Sequence, residues 1–269
     1  MEREGGPRRR DMRRHLRSAH PGLLLALWAG FQVIGLAPYV PGAERPPLRT
    51  VTVKVVADAS LRANEIWKVD IGRHLQDVNS TFRGALGVKF KIVSYEYWDA
   101  DSEGQPLAAL LPGLRDLAGR SGPDRPDGEI VLGLVPEGPE GPIDPGIADY
   151  LEGIIIVKYL KNKGGICYVM LHELCHLFGA IDLRERGSVM SLERPTFRID
   201  AFTRTIMRAN RDRCFGHEKY PLSRERIAEA ITLYSERQAL GLGESELSIC
   251  LHNLQAMLAQ MGTAAQQRR

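Results

Sequence analysis

Apolar and polar residues alternate from Val51 to Ala57, with β-branched side chains at most positions, and this predicts a strand. The period then changes. From Trp67 to Leu86 the apolar residues Val69, Ile71, Leu75, Val78 and Phe82 recur at helical spacing. A second strand is expected at Val88 to Tyr97, and a helix interrupted near Pro112 at Leu107 to Ala118. Glu129 to Val135 is apolar enough to be a buried strand, a Gly/Pro-rich loop covers residues 136–146, and Gly153 to Lys158 is a further strand. Ile166 to Phe178 is mostly apolar, follows Gly164-Gly165 and stops at Gly179, so it reads as a helix of about twelve residues. Ile199 to Asn210, Ser223 to Gln238 and Glu244 to Met261 each carry an apolar stripe, and Gly241-Leu242-Gly243 breaks the last two apart. These three helices are expected to pack on the preceding domain rather than form a separate partner-binding hairpin. No internal repeat is evident.

The order strand–helix–strand–helix–strand–strand–helix, followed by a helical C-terminal part, reads as an α+β fold. With 269 residues and 43% apolar content the chain can bury one sizeable core. Net charge is +3, but residues 1–49 hold nine arginines and four acidic residues, leaving 27 basic and 29 acidic residues in the remainder. A near-neutral folded part argues against nucleic acid as a partner.

An Arg-rich stretch up to Arg17 followed by an apolar run from Gly22 to Ala37 has the form of an export signal. Residues 1–37 are therefore expected to be a signal peptide or, uncut, a signal anchor in which residues 22–37 hold the membrane. Residues 38–49 form a Pro-rich linker, residues 50–198 the core and residues 199–269 a helical subdomain of it. An exported protein, periplasmic or extracellular, is expected as a monomer. Of the four cysteines, Cys167 and Cys175 lie roughly 12 Å apart along one helix and cannot bridge each other. Cys175 is expected to pack inward, and Cys214 with Cys250 is a candidate disulfide. No CxxC spacing exists, so a structural zinc site is not expected, and no cysteine lies between leader and domain to impose latency.

The chemistry concentrates in His172-Glu173-Leu174-Cys175-His176-Leu177-Phe178-Gly179-Ala180-Ile181-Asp182, which contains HExxH and extends it to HExxHxxGxxD. Positions i and i+4 share one helix face, so His172 and His176 can present two nitrogens to one metal. Glu173 leaves the helix on another bearing and can reach a metal-bound water as general base. Gly179 permits a sharp turn, after which Asp182 can supply a third ligand and leave one position open. Met190 follows Asp182 by eight residues. His217 reads as a surface histidine. A facial iron triad uses the same ligand types, but the helical HExxH spacing disfavours it.

These residues resemble the metzincin superfamily of zinc peptidases, whose pattern is HExxHxxGxxH, or Asp in the last place, followed by a Met-turn. The Asp form is similar to the snapalysin type, and the gap from Asp182 to Met190 is similar to that of matrixins. The resemblance implies one catalytic Zn2+ held by His172, His176 and Asp182, with Glu173 as general base and Met190 in a tight turn beneath the metal. It also implies a twisted mixed sheet with a long backing helix and an active-site helix, and a zinc endopeptidase that takes peptide or protein substrates. An edge strand in that family pairs with extended substrate, and Gly146, Ile147 and Ala148 are the candidates here; a plain surface hairpin is the alternative. Asp in place of the commoner third His adds negative charge to the site, which makes the zinc a slightly weaker Lewis acid. No Tyr follows two residues after Met190, so the extra Tyr ligand of astacin-like members has no counterpart. The competing function is a catalytically silent zinc-containing binding module at the cell surface, against which the intact Glu173 argues.

Overall fold

The computed structural model describes residues 47–119, 130–138, 145–150, 152–160, 163–183, 186–192, 196–213, 215, 223–240 and 245–266. The leader, His217, Cys214 and with it the Cys214–Cys250 pairing lie outside the described residues. Five strands form one mixed sheet: β1 (Arg49–Asp58), β2 (Val88–Trp98), β3 (Ile130–Pro136), β4 (Gly146–Asp149) and β5 (Ile154–Tyr159). Their spatial order is β2-β1-β3-β5-β4. Strands β1, β2, β3 and β5 run parallel, and β4 is antiparallel to β5 at one edge.

Helices cover both faces, which is why β1, β3 and β5 are buried almost continuously. Val51, Val53, Val55, Leu132 and Val157 point to the face packed by α1 (Ile66–Leu86) and α3 (Lys163–Leu177). Val56, Val131 and Ile156 point to the other face, under α2 (Leu107–Gly119). Lys54 shares that second direction and, buried, pairs with Glu96 at 2.8 Å. Three further helices follow: α4 (Ala201–Ala209), α5 (Arg224–Ala239) and α6 (Ser245–Gln266). Tyr234 of α5 and Leu247, Leu251 and Leu254 of α6 join the same core cluster as α1 and α3.

Two local expectations are corrected. Helix α2 runs through Pro112 without interruption. A proline inside a helix costs about 3 kcal/mol. Buried Leu107, Leu110 and Leu114 stabilise the continuous helix by roughly 1.5–3 kcal/mol each, so packing wins. Helix α3 starts at Lys163, so Gly164 and Gly165 lie within its first turn rather than before it. Each glycine costs about 1 kcal/mol relative to alanine there, less than the burial of Ile166, Val169 and Met170 returns. No helix among the described residues is long and apolar enough to cross a membrane.

Candidate metal centre

Helix α3 ends in a Schellman motif. Gly179 adopts φ +84°, its N–H donates to His176 O at 2.8 Å, and the Ala180 N–H donates to Cys175 O at 3.1 Å. A side chain at Gly179 would also meet Asn210 Nδ2 at 2.7 Å. The reversal carries the chain back beside the helix end, and Asp182 arrives against the two histidines. His172 Nε2 and His176 Nε2 are 3.1 Å apart. Asp182 Oδ1 lies 3.2 Å from the first and 3.6 Å from the second. Three atoms on tetrahedral corners about 2.05 Å from a zinc ion stand roughly 3.3 Å from one another. The donor set and its spacing therefore fit such an ion.

The orientation of both rings is held from behind. His172 Nδ1 is 2.9 Å from Val189 O, and His176 Nδ1 is 2.9 Å from Ala180 O. Each carbonyl accepts a hydrogen bond from Nδ1–H, which leaves Nε2 facing the focus, the usual support for a metal-binding histidine. Tyr168, one turn before His172, also donates to Val189 O at 2.8 Å. Charge at the focus is strongly coupled. Burial works against the His172 imidazolium, but the hydrogen bond to Asp182 and the charge of Glu173 outweigh it, and its pKa is pushed up to about 8. Burial, reinforced by repulsion from His172, brings His176 down to about 4. Burial also opposes the Asp182 carboxylate, yet its contacts with the two histidines hold it below its ordinary value. The three groups thus favour one protonated histidine set against the Asp182 carboxylate, a positive charge that a bound cation would supply instead.

Val189, which orients His172, belongs to a tight turn at Ser188–Ser191. Ser191 N–H donates to Ser188 O at 3.2 Å, and Met190 N–H donates to Ser188 Oγ at 3.1 Å. A parallel bridge between Leu183 and Ser191 ties this turn to the segment carrying Asp182. Met190 is fully buried. Asp200 braces the turn from α4: it caps that helix through Thr203 N–H at 2.9 Å and accepts a hydrogen bond from Ser188 Oγ. Replacing a cap that also holds a half-buried charged hydrogen bond costs about 2–3 kcal/mol. Asp200→Ala is accordingly expected to lower the unfolding free energy by that amount, read as a lower denaturant midpoint at an unchanged slope; a loss under about 0.5 kcal/mol, the scale of a neutral surface substitution, contradicts the bracing role.

Glu173 is buried and turns toward β4. A Cβ placed on Gly146 would stand 2.6 Å from Glu173 Oε1 and 2.5 Å from Val169 Cγ1, so only glycine lets the edge strand come this close. Gly146, Ile147 and Ala148 line the same cavity of about 740 Å3 as Glu173 and the three candidate ligands. Leu254 and Met257 of α6 supply part of its apolar wall.

Two positioning residues have no motif in the sequence. Arg213 is buried and donates to Leu177 O, at the end of α3, at 2.7 Å and to Tyr150 O, just past β4. It stacks on the Tyr150 ring at 4.0 Å and so couples the helix end to the edge strand. Tyr234 of α5 donates to Gly179 O at the reversal. Only the Asp200 cap carries a readable local signal, an Asp directly before an apolar run.

No protein-family model and no curated protein matches this chain. Among solved structures it is similar to a chain described as the structure of a chaperone-substrate complex, at 13% identity and TM-score 0.47, over 62% of this chain and 38% of that one. It is also similar to archaemetzincin from Methanopyrus kandleri, at 20% identity and TM-score 0.45, over 60% of this chain and 95% of that one. Both likenesses are loose, and the geometry of the site stands apart from them.

Proposed function

We propose that this chain is a zinc-dependent endopeptidase. The observation that carries the reading is the His172, His176 and Asp182 triangle, with edges of 3.1, 3.2 and 3.6 Å, opening on a cavity shared with Glu173. A zinc ion held by those three residues would polarise a scissile carbonyl and lower the pKa of a bound water. Glu173 takes the proton of the attacking water and passes it to the leaving amine. Strand β4 is the sheet edge beside Glu173 and offers main-chain pairing to an extended peptide, with residues 146–148 as the template. The turn at Met190 serves as the Met-turn, acting on the site through Val189 O. Such pairing gives affinity with little side-chain selectivity, while the wall of Leu254 and Met257 favours an apolar substrate side chain.

The remaining assignments belong to the same reading. Residues 1–37 direct export, with residues 22–37 as the anchor if uncut, and residues 38–49 link them to the peptidase core of residues 50–198. Residues 199–269 complete the catalytic domain as its helical part. The protein works as a monomer on peptides or proteins outside the cytoplasm.

The test is cleavage of a denatured protein by the purified chain. Activity is expected with bound zinc, lost on chelation and restored by zinc alone. Tight zinc binding with no cleavage across a broad peptide library supports the silent binding module instead, and stoichiometric iron in the purified protein overturns the metal assignment. The Gly146 contact adds a sharper expectation. Gly146→Val displaces the Glu173 carboxylate, and a misplacement of about 1 Å costs about a hundredfold in turnover. Zinc affinity should be retained; unchanged turnover sinks the placement of Glu173 against β4.

A further inference from the structure

A second group of ligand-type side chains lies on the other side of α3. His74 and Asp77 stand three residues apart on α1, on neighbouring positions of one helix face, and Cys167 meets them from α3. One ligand atom from each of the three lies within 4.8 Å of the others. Cys167 precedes His172 by five residues and His176 by nine, which places it roughly 140° and 180° around the helix from them. The cluster is therefore separate from the first site. It opens on its own cavity of about 310 Å3, walled by Val78, Leu171 and Phe197.

The chemistry of the three groups is mixed. The Cys167 thiol is buried and reaches the His74 main-chain carbonyl at 3.9 Å, across the α1–α3 contact. Burial, with the Asp77 charge adding to it, pushes this thiol up to about 11, so it stays protonated at neutral pH without a cation. A coordinating metal removes that proton outright. Imidazole nitrogen, thiolate sulfur and carboxylate oxygen together suit a borderline-soft divalent ion. The two negative charges then neutralise it. At zinc bond lengths of about 2.0–2.3 Å the three atoms would stand about 3.5 Å apart. The three atoms stand no more than 4.8 Å apart, so closing onto an ion takes at most about 1.3 Å, to which a rotamer change of the exposed Asp77 contributes.

We propose that His74, Asp77 and Cys167 bind a second divalent ion of the zinc class, which staples α1 to the back of the site helix α3. Water completes the coordination on the solvent side, where Asp77 is exposed. The absence of CxxC hides such a site from sequence inspection, because its ligands come from helices about ninety residues apart.

Cobalt(II) titration of the metal-stripped full-length chain tests this directly. The three candidate ligands of the first site are nitrogen and oxygen donors, so a thiolate-to-cobalt charge-transfer band in the near ultraviolet that depends on Cys167 reports the second site. The band is expected in the parent chain and in His172→Ala, and it should vanish in Cys167→Ser. Asp77→Asn, at an exposed position that folding tolerates, should weaken the band-forming event about tenfold or more while leaving the other binding event unchanged. Absence of the band at saturating cobalt overturns the proposal, as does a band that survives Cys167→Ser or an Asp77→Asn chain with unaltered binding. Neither outcome depends on peptide cleavage, so this site and the endopeptidase reading can fail separately.

Discussion

Glu173→Gln is expected to keep its zinc and its fold and to lose peptide hydrolysis by at least about 10²–10⁴-fold, the usual contribution of a general base. Glutamine preserves the shape of the side chain that lies beside Gly146. What it removes is the ability to take a proton. The metal focus is defined by His172, His176 and Asp182, and the Glu173 side chain leans instead toward β4. Zinc content measured beside turnover therefore separates the two roles. Surviving activity in this variant would falsify the assigned mechanism, whereas loss of zinc with the activity would make Glu173 a ligand rather than a base.

Asp182→Ala is expected to weaken zinc binding by more than about a hundredfold. Disturbing a residue that merely supports a ligand costs about 10–100-fold, and removing one of three ligands costs at least the upper end of that range. The pH dependence of binding gives a second readout. His172 has its pKa raised to about 8, so in the metal-free protein it is protonated below that pH and must release its proton before it can bind a metal. Apparent zinc affinity therefore falls as pH drops through about 8. The Asp182 hydrogen bond is the largest of the causes raising that pKa, so in Asp182→Ala the fall moves to lower pH. Competitive zinc titration at several pH values checks both effects. Unchanged affinity would transfer the third-ligand role to Glu185 or His217, both outside the described residues, and would remove the main support for the metzincin resemblance.

Much of this is legible in the sequence alone. The strand and helix positions follow from local periodicity, and the HExxH pair follows from the fixed pitch of a helix. The discrepancies have a common cause. Pro112 and Gly164-Gly165 carry local penalties of about 1–3 kcal/mol, and burial of neighbouring leucine, isoleucine and methionine side chains against the sheet exceeds them. Propensity is a local quantity, and it loses wherever a helix face has a sheet to pack on.

By itself, the sequence determined which residue types stand at metal-ligand spacing, where the chain reverses after the site helix, and the alternation that makes an α+β sheet. These are properties of neighbours a few positions apart, set by helix pitch, strand period and the conformational freedom of Gly179. Only the tertiary structure decided that Asp182 Oδ1 closes a triangle with both histidines, that Gly146 lies against Glu173, and that Arg213 joins the end of α3 to the segment after β4. It alone brought His74 and Asp77 to Cys167. Such contacts join positions from a few to more than ninety residues apart. They arise when two apolar faces are buried together, and no local pattern records which polar groups that burial will bring into register.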